Sequence, residues 1–237
     1  MTSRFSPTLA LLCMFGCGGS ANAPEPEAAA DTSGREREVP AARDELAVTG
    51  LRGTLSQSEI QNTLEPRMLK FSRCVQRRSE AVEWLSGKVE FSFHIALDGS
   101  VASVFPSAST MGDRDTERCM LDVARSIRFP APHGGEADFA WPLEVPLDPE
   151  IRAPVVWDPA QASEVLLTNA QPALDACGGG AFAVTAYVDP EGHVVAAGAS
   201  VGEPGDAEKL DCITDAIKAW TFPSPGSYAA KISFGLR

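Results

Sequence analysis

The chain has no apolar run long enough to cross a bilayer: the most obvious one, residues 9–15 of 237, falls well short of the roughly 20 residues a spanning helix takes. Basic side chains are outnumbered, 20 Lys and Arg against 32 Asp and Glu, and the net charge of −12 is spread along the chain with no basic stripe. On such a field nucleic acid and anionic membrane surfaces are poor partners. Histidine is scarce as well. His94, His133 and His193 stand apart and no Cys or His pair has ligand spacing, so no metal centre is expected and no cofactor is implied. A Gly-x-Ser-x-Gly element is missing, and no Ser, His and Asp combination recurs along the chain, which argues against an enzyme. Cys177-Gly178-Gly179-Gly180 lacks the lysine and the strand-to-helix setting of a phosphate loop and reads as a glycine linker.

What is present is an internal repeat at an offset of 93 residues. Gly87 maps to Gly180, Gly99 to Gly192, Gly112-Asp113 to Gly205-Asp206, Cys119 to Cys212, Phe129-Pro130 to Phe222-Pro223 and Leu143 to Leu236. These are turn glycines, a cysteine and a helix-ending Phe-Pro, the positions that set backbone shape. An upstream cysteine recurs at offset 103, Cys74 and Cys177, so the second copy is ten residues shorter between that cysteine and its first strand. The expected organisation is a leader at residues 1–16, a tether at 17–50, and two small domains at 51–150 and 155–237.

Arg4, the apolar run and Gly16 before Cys17 read as a secretory leader. Leu12-Cys13-Met14-Phe15-Gly16-Cys17-Gly18 resembles a bacterial lipobox, with cleavage before Cys17 and lipid on its thiol; an ordinary leader cleaved near Ser20-Ala21-Asn22-Ala23 is the alternative. Residues 18–50 hold Ala, Pro, Glu, Ser and Arg with almost no large apolar residue, so a disordered tether with a reach of about 30 Å is expected. With Cys13 lost and Cys17 lipidated, four of the six cysteines remain, and an even number in an exported chain points to disulfides. The repeat selects Cys74 with Cys119 and Cys177 with Cys212. Loops of 45 and 35 residues closed in this way would stabilise each domain by about 4 kcal/mol.

Within the first copy, Ser56-Gln57-Ser58-Glu59 matches a capping box ahead of Ile60, Leu64, Met68, Phe71 and Val75 at helical spacing, with Pro66 kinking or splitting the helix. The counterpart is residues 162–176, where Leu167 and Leu174 share a face and Pro172 interrupts. Val89, Phe91, Phe93 and Ile95 alternate with polar residues as a half-buried strand, matched by Phe182, Val184, Ala186 and Val188. Turns at Asp98-Gly99 and Glu191-Gly192 lead to second strands. Asp113 and Asp206 are N-cap candidates for a second helix, which Phe-Pro ends. Asp122 with Arg125, and Asp215 with Lys218, have ion-pair spacing. Third strands carry Phe139, Trp141 and Leu143, or Ile232, Phe234 and Leu236, and Pro142 demands an edge or a bulge. Each copy thus reads as α-β-β-α-β, an α+β unit with a three-stranded antiparallel sheet and two helices on one face.

The string from Gly87 through Phe91, Phe93, Asp98-Gly99 and Val101, followed by a helix ending in Arg128-Phe129-Pro130, resembles the C-terminal domain of TonB-family proteins. The cysteine before the first strand and the one in the second helix are similar to the AgmX/PglI branch. The resemblance spans residues 55–147 and, more weakly, 158–237. It implies a binding module that pairs a sheet edge with a short segment of an envelope protein. It does not extend to the transmembrane anchor and Pro-rich spacer of energy-transducing members. The expectation is a non-enzymatic outer-membrane lipoprotein facing the periplasm, which binds protein or peptide segments of an envelope complex and meets the membrane through its lipid alone. The alternative is a spacer or scaffold without peptide recognition. An open strand edge would favour the first, and a mutual interface hiding the edges the second. Because Val184 and Ala186 replace Phe91 and Phe93, the second copy is expected to lean on the first and to be the better site of capture. Changing Cys17→Ala should release the processed chain from the membrane fraction or block its processing; a variant that is processed and membrane-bound as before would contradict the lipoprotein reading.

Overall fold

The structure is a computed structural model and describes residues 52–237; the leader, Cys17 and the tether lie outside the described residues. Ser56 accepts the Glu59 N–H while the Glu59 carboxylate accepts the Ser56 N–H at 2.7 Å, so α1 (Gln57–Leu64) starts where the capping box places it. Pro66 splits the helix. A 3₁₀ turn, Glu65–Arg67, carries the chain past the missing donor into α2 (Met68–Gln76). β1 (Gly87–Ile95) buries every second side chain, including Val89, Phe91, Phe93 and Ile95. Gly99 turns with φ +81°, and a Cβ there would collide with the Phe129 carbonyl; the repeat places Gly192 against the Phe222 carbonyl in the same way. β2 (Val101–Ser109) follows. Asp113 caps α3 (Arg114–Arg125) through the Thr116 N–H at 2.9 Å, and β3 (Ala137–Val145) completes an antiparallel sheet in the order β2-β1-β3.

The second half comprises β4 (Val155–Trp157), α4 (Ser163–Ala176), β5 (Phe182–Val188), β6 (Val194–Val201), α5 (Leu210–Lys218) and β7 (Ala230–Leu236). Its strands β6-β5-β7 repeat the order of the first sheet, but the expected three-stranded sheet is a four-stranded mixed one. β4 lies parallel to β7, with Trp157 opposite Ile232. Three residues carry no readable period, and only the folded chain brings them to that edge. Asp206 does not cap α5. Pro204 sets a 3₁₀ turn in which the Asp206 carboxylate takes Lys209 Nζ at 2.8 Å and the Ala181 N–H at 3.3 Å, and α5 opens without a side-chain cap. α4 runs unbroken through Pro172, losing one rung of its ladder while Leu174 and Cys177 hold its end in the core. Leu167 is 83% exposed and Leu174 is 4% exposed, because Leu166, Ala170 and Ala173 form the inward stripe.

Cys74 is bonded to Cys119 and Cys177 to Cys212, with Cα separations of 5.6 and 5.7 Å. Each bond ties the helical segments of its half together. Two such bonds are the mark of an oxidising compartment outside the cytoplasm. Among the described residues no helix is long and apolar enough to cross a membrane.

The halves do not stand as two identical domains. β5 is buried on both faces, with Thr185 and Tyr187 as inaccessible as Val184 and Ala186. The covering layer is the first half: Tyr187 and Ala196 belong to the core of the first half, and Phe105 of β2 belongs to that of the second. At the centre of the contact a Cβ on Gly198 would lie 2.5 Å from a Glu117 carboxylate oxygen and 2.8 Å from the Asp113 main-chain nitrogen. Gly198→Ala should therefore wedge the halves apart and cost about 1–3 kcal/mol. The expected readout is a lower thermal midpoint than that of Gly205→Ala, where a Cβ meets nothing within 4 Å; equal midpoints would count against a tight interface.

Candidate functional site

The strand edges of the two sheets differ in what they meet. β2 and β6 face each other across the contact between the halves, where the Ser109 N–H donates to Ser200 Oγ at 3.1 Å. β4 occupies the outer edge of β7. β3 is the edge of its sheet, nine residues long and in register with β1 from Ala137 to Val145 without a bulge. Lys88 spends both its main-chain groups on Thr110, towards β2. Alternation along β1 then turns Val89, Phe91 and Phe93 to their β3 partners Leu143, Trp141 and Phe139. The main-chain groups of Asp138, Ala140, Pro142 and Glu144 consequently point away from the sheet. Pro142 sits at the parity where β1 asks for no donor, which is how the strand tolerates it.

Beside this edge lies a cleft of about 230 Å³ between α2 and β3. Met68, Phe71 and Val75 line one side and Leu143, Val145 and Pro146 the other, with fully buried Met120 at its base. Trp141 closes the inner end of this apolar layer, its ring 5.2 Å from that of Phe71. Outward main-chain donors and acceptors next to an apolar cleft are the two requirements for receiving an extended segment: pairing along the backbone and a pocket for alternate side chains. Glu144 lines the cleft, and Glu136 and Asp138 lie at the other end of β3. Asp138 and Glu136 bracket the His94 ring at 2.7 and 3.1 Å, hydrogen bonding first to Asp138, and raise the pKa of the imidazole above its ordinary value.

A second cluster lies between the halves. Glu117 is fully buried; its carboxylate accepts Ser109 Oγ at 2.6 Å and the Ala199 N–H at 3.3 Å, and Arg114 Nη1 stands 3.9 Å away. Arg114 Nε donates to Asp211 at 2.7 Å, leaving Nη1 buried without a partner. Asp113 takes two hydrogen bonds from Arg78, at 3.1 and 2.9 Å. Nearby, the Tyr187 hydroxyl accepts the Ser86 N–H and reaches the Trp84 carbonyl at 3.1 Å, while Lys231 Nζ donates to the Ser86 carbonyl at 2.6 Å. Burial pushes the Lys231 amine down to about 8. These bonds give the interface a single register.

Apart from Asp113, named only as a helix cap, none of this second cluster was singled out from the sequence, although the repeat carried a signal. Glu117 occupies the position of buried Leu210, and Tyr187 that of His94. The outward positions Ala183, Thr185, Tyr187, Ala196, Gly198 and Ser200 carry no charge, unlike Lys88, Glu90 and His94. The ion pairs expected on the second helices are present, Arg125 to Asp122 at 3.1 Å and Lys218 to Asp215 at 3.5 Å. His133 meets Glu59 and His193 meets Asp189, each at 3.4 Å, so the histidines are drawn to carboxylates and not to one another. No family model, curated protein or solved structure matches the chain.

Glu117 titrates far from its ordinary value of 4.5. Burial pushes it up to about 7, against the opposing pull of the Ser109 hydroxyl, the Arg114 charge and the Ala199 N–H. Between those values the folded chain holds a proton that the unfolded chain has released, so the stabilisation is full below about pH 4.5 and is lost as pH rises through 7. The loss amounts to about 3 kcal/mol. Asp98, held down at about 2 by Ser100 and Arg128, acts in the opposite direction at far lower pH. Thermal midpoints of the native chain should therefore fall between pH 5 and 8 relative to Glu117→Gln, with the variant the more stable at pH 8; parallel profiles would contradict this assignment.

Proposed function

We propose that the chain is a non-enzymatic, periplasm-facing lipoprotein whose two TonB C-terminal-like units, residues 51–150 and 155–237, form one binding body for extended protein or peptide segments of an envelope complex. The observation that carries this reading is β3: a nine-residue edge with outward main-chain groups, bordered by an apolar cleft. Capture is placed on the first half and not on the second, since β4 covers the edge of β7 and the first half covers the outer face of β5 and β6. The disulfides fit an oxidising compartment; attachment to the outer membrane follows from the reading of Cys17. Asp122 and Asp215 take no part, being tied in surface ion pairs.

The contact between β2 and β6 favours a second reading, a rigid scaffold whose paired halves act as one spacer. A single substitution separates the two. Ala140→Pro removes one outward N–H from β3 at the same parity as Pro142, with no rung of the β1 ladder lost. Envelope proteins captured by the native chain under oxidising conditions should be retained roughly five- to tenfold less well by the variant. An unchanged set and yield, with both disulfides intact, would favour the scaffold.

A further inference from the structure

The net charge of −12 hides a local concentration of the opposite sign. Arg67, Lys70, Arg73 and Arg77 are all exposed, and Lys70, Arg73 and Arg77 follow one another along α2 and its C-terminal cap at intervals of three and four, which puts them on one side of the helix. With Cys74, Cys119 and Val123 the last three line a shallow cleft of about 250 Å³ over the disulfide. Their neighbours are paired: Arg78 with Asp113 and Asp115, Arg118 with Asp211, Arg125 with Asp122. Among the described residues, none of these four cations has a carboxylate within 4.0 Å. Glu65 is the one carboxylate in the 3₁₀ turn and α2.

Leu69 extends the band. It lies one helical turn before Arg73 and is 62% exposed, although it belongs to a helix whose Phe71 and Cys74 are fully enclosed. The cations sit on long stems around a convex helix, with no strand edge or main-chain donor among them to read a peptide backbone. Such a band suits a planar anionic surface more than a folded or extended protein partner. At physiological salt, charges are screened beyond about 8 Å, so an approaching surface meets this band and not the −12 of the whole chain.

We propose that the exposed side of α2 is a docking surface for an anionic phospholipid bilayer, with Lys70, Arg73 and Arg77 on lipid phosphates and Leu69 among the headgroups. The contact is distinct from the lipid expected on Cys17 and from the β3 edge: α2 turns Met68, Phe71 and Val75 to the β3 cleft and its cations to the opposite side. The affinity of each cation for such a surface corresponds to roughly a fivefold change in partition.

The test is co-sedimentation of the full chain carrying Cys17→Ala with phosphatidylcholine vesicles, with and without about one third phosphatidylglycerol, near the composition that gives an anionic surface its potential. The ratio of anionic to neutral binding cancels any contribution of the leader. The native ratio should exceed roughly tenfold and fall close to unity in Lys70→Gln/Arg73→Gln/Arg77→Gln and in high salt, while Arg125→Gln, which removes a paired cation, leaves it unchanged. Leu69→Ser should lower binding without altering its salt dependence. The disulfide map and thermal midpoint of the triple variant should match the native chain. A native ratio near unity, or a triple variant that keeps the native ratio, would overturn the proposal. So would binding of a poly-glutamate peptide that the triple variant loses in the absence of vesicle binding, which would assign the band to an acidic protein segment.

Discussion

The Tyr187 hydroxyl, bonded to the main chain at Trp84 and Ser86, marks the contact on which the rest of the molecule depends: the first half of the chain lies on the outer face of the second half's sheet. β5 and β6 meet the first half with uncharged side chains, Thr185, Tyr187, Ala196, Gly198 and Ser200, while Lys231 on neighbouring β7 reaches the Ser86 carbonyl. Burying one side chain of the size of Tyr187 is worth about 1.5–3 kcal/mol. Gly198 is held to a hydrogen side chain by the close approach of α3, and Glu117, which enters at that point, is so deprived of water that its proton is retained to about pH 7. The same contact sets β2 and β6 against each other, with the Ser109 N–H on Ser200 Oγ, and leaves β3 as the edge of the first sheet away from it.

Each half by itself has a modest core of one sheet and a thin helical layer, a size at which burial alone leaves little margin. The disulfides act on that margin by joining the helical elements that sit on each sheet. In the first half the bond also fixes how α2 is turned. With Cys74 held to α3, Phe71 and Met68 face β3 and form the apolar cleft, while Lys70, Arg73 and Arg77 are displayed on the other side. One covalent link therefore arranges two unlike surfaces on a single helix.

The distribution of charge follows a similar logic. Carboxylates lie along the rim of β3, where Glu136 and Asp138 grip His94 and Glu144 meets Lys88 at 3.3 Å. Four cations with no carboxylate within 4.0 Å among the described residues, Arg67, Lys70, Arg73 and Arg77, lie along α2 and its ends. A chain that is acidic as a whole is locally polar in both senses, and its surfaces act over distances set by screening and not by the total.

Local chemistry was legible in the sequence wherever one residue or a short period decides the outcome. Ser56 and Glu59 start a helix, Gly99 and Gly192 turn a hairpin, the alternation from Val89 to Ile95 makes a strand, and the repeated cysteines pair within each half. Pro142 announced its edge. Elements that depend on distant partners were not legible: β4 is three residues that become a strand only beside β7, Asp206 is diverted from capping by Lys209 and the Ala181 N–H, and Leu167 is turned outward by the pitch of α4. That the second half leans on the first was expected from its smaller core residues, but the faces through which they dock were out of reach for the same reason. Nothing local sets Glu117 apart from the other charged positions of α3, and Tyr187 falls on the parity of β5 that would otherwise face water. Periodicity reports how a segment divides between a core and water, whereas the second face of α3 and of β5 is covered by the other half of the chain. By itself, then, the sequence determined the elements and their staples, because those rest on neighbours close along the chain or repeated within it. Which faces and edges stayed open was decided only by the tertiary structure, because that depends on how the two halves pack.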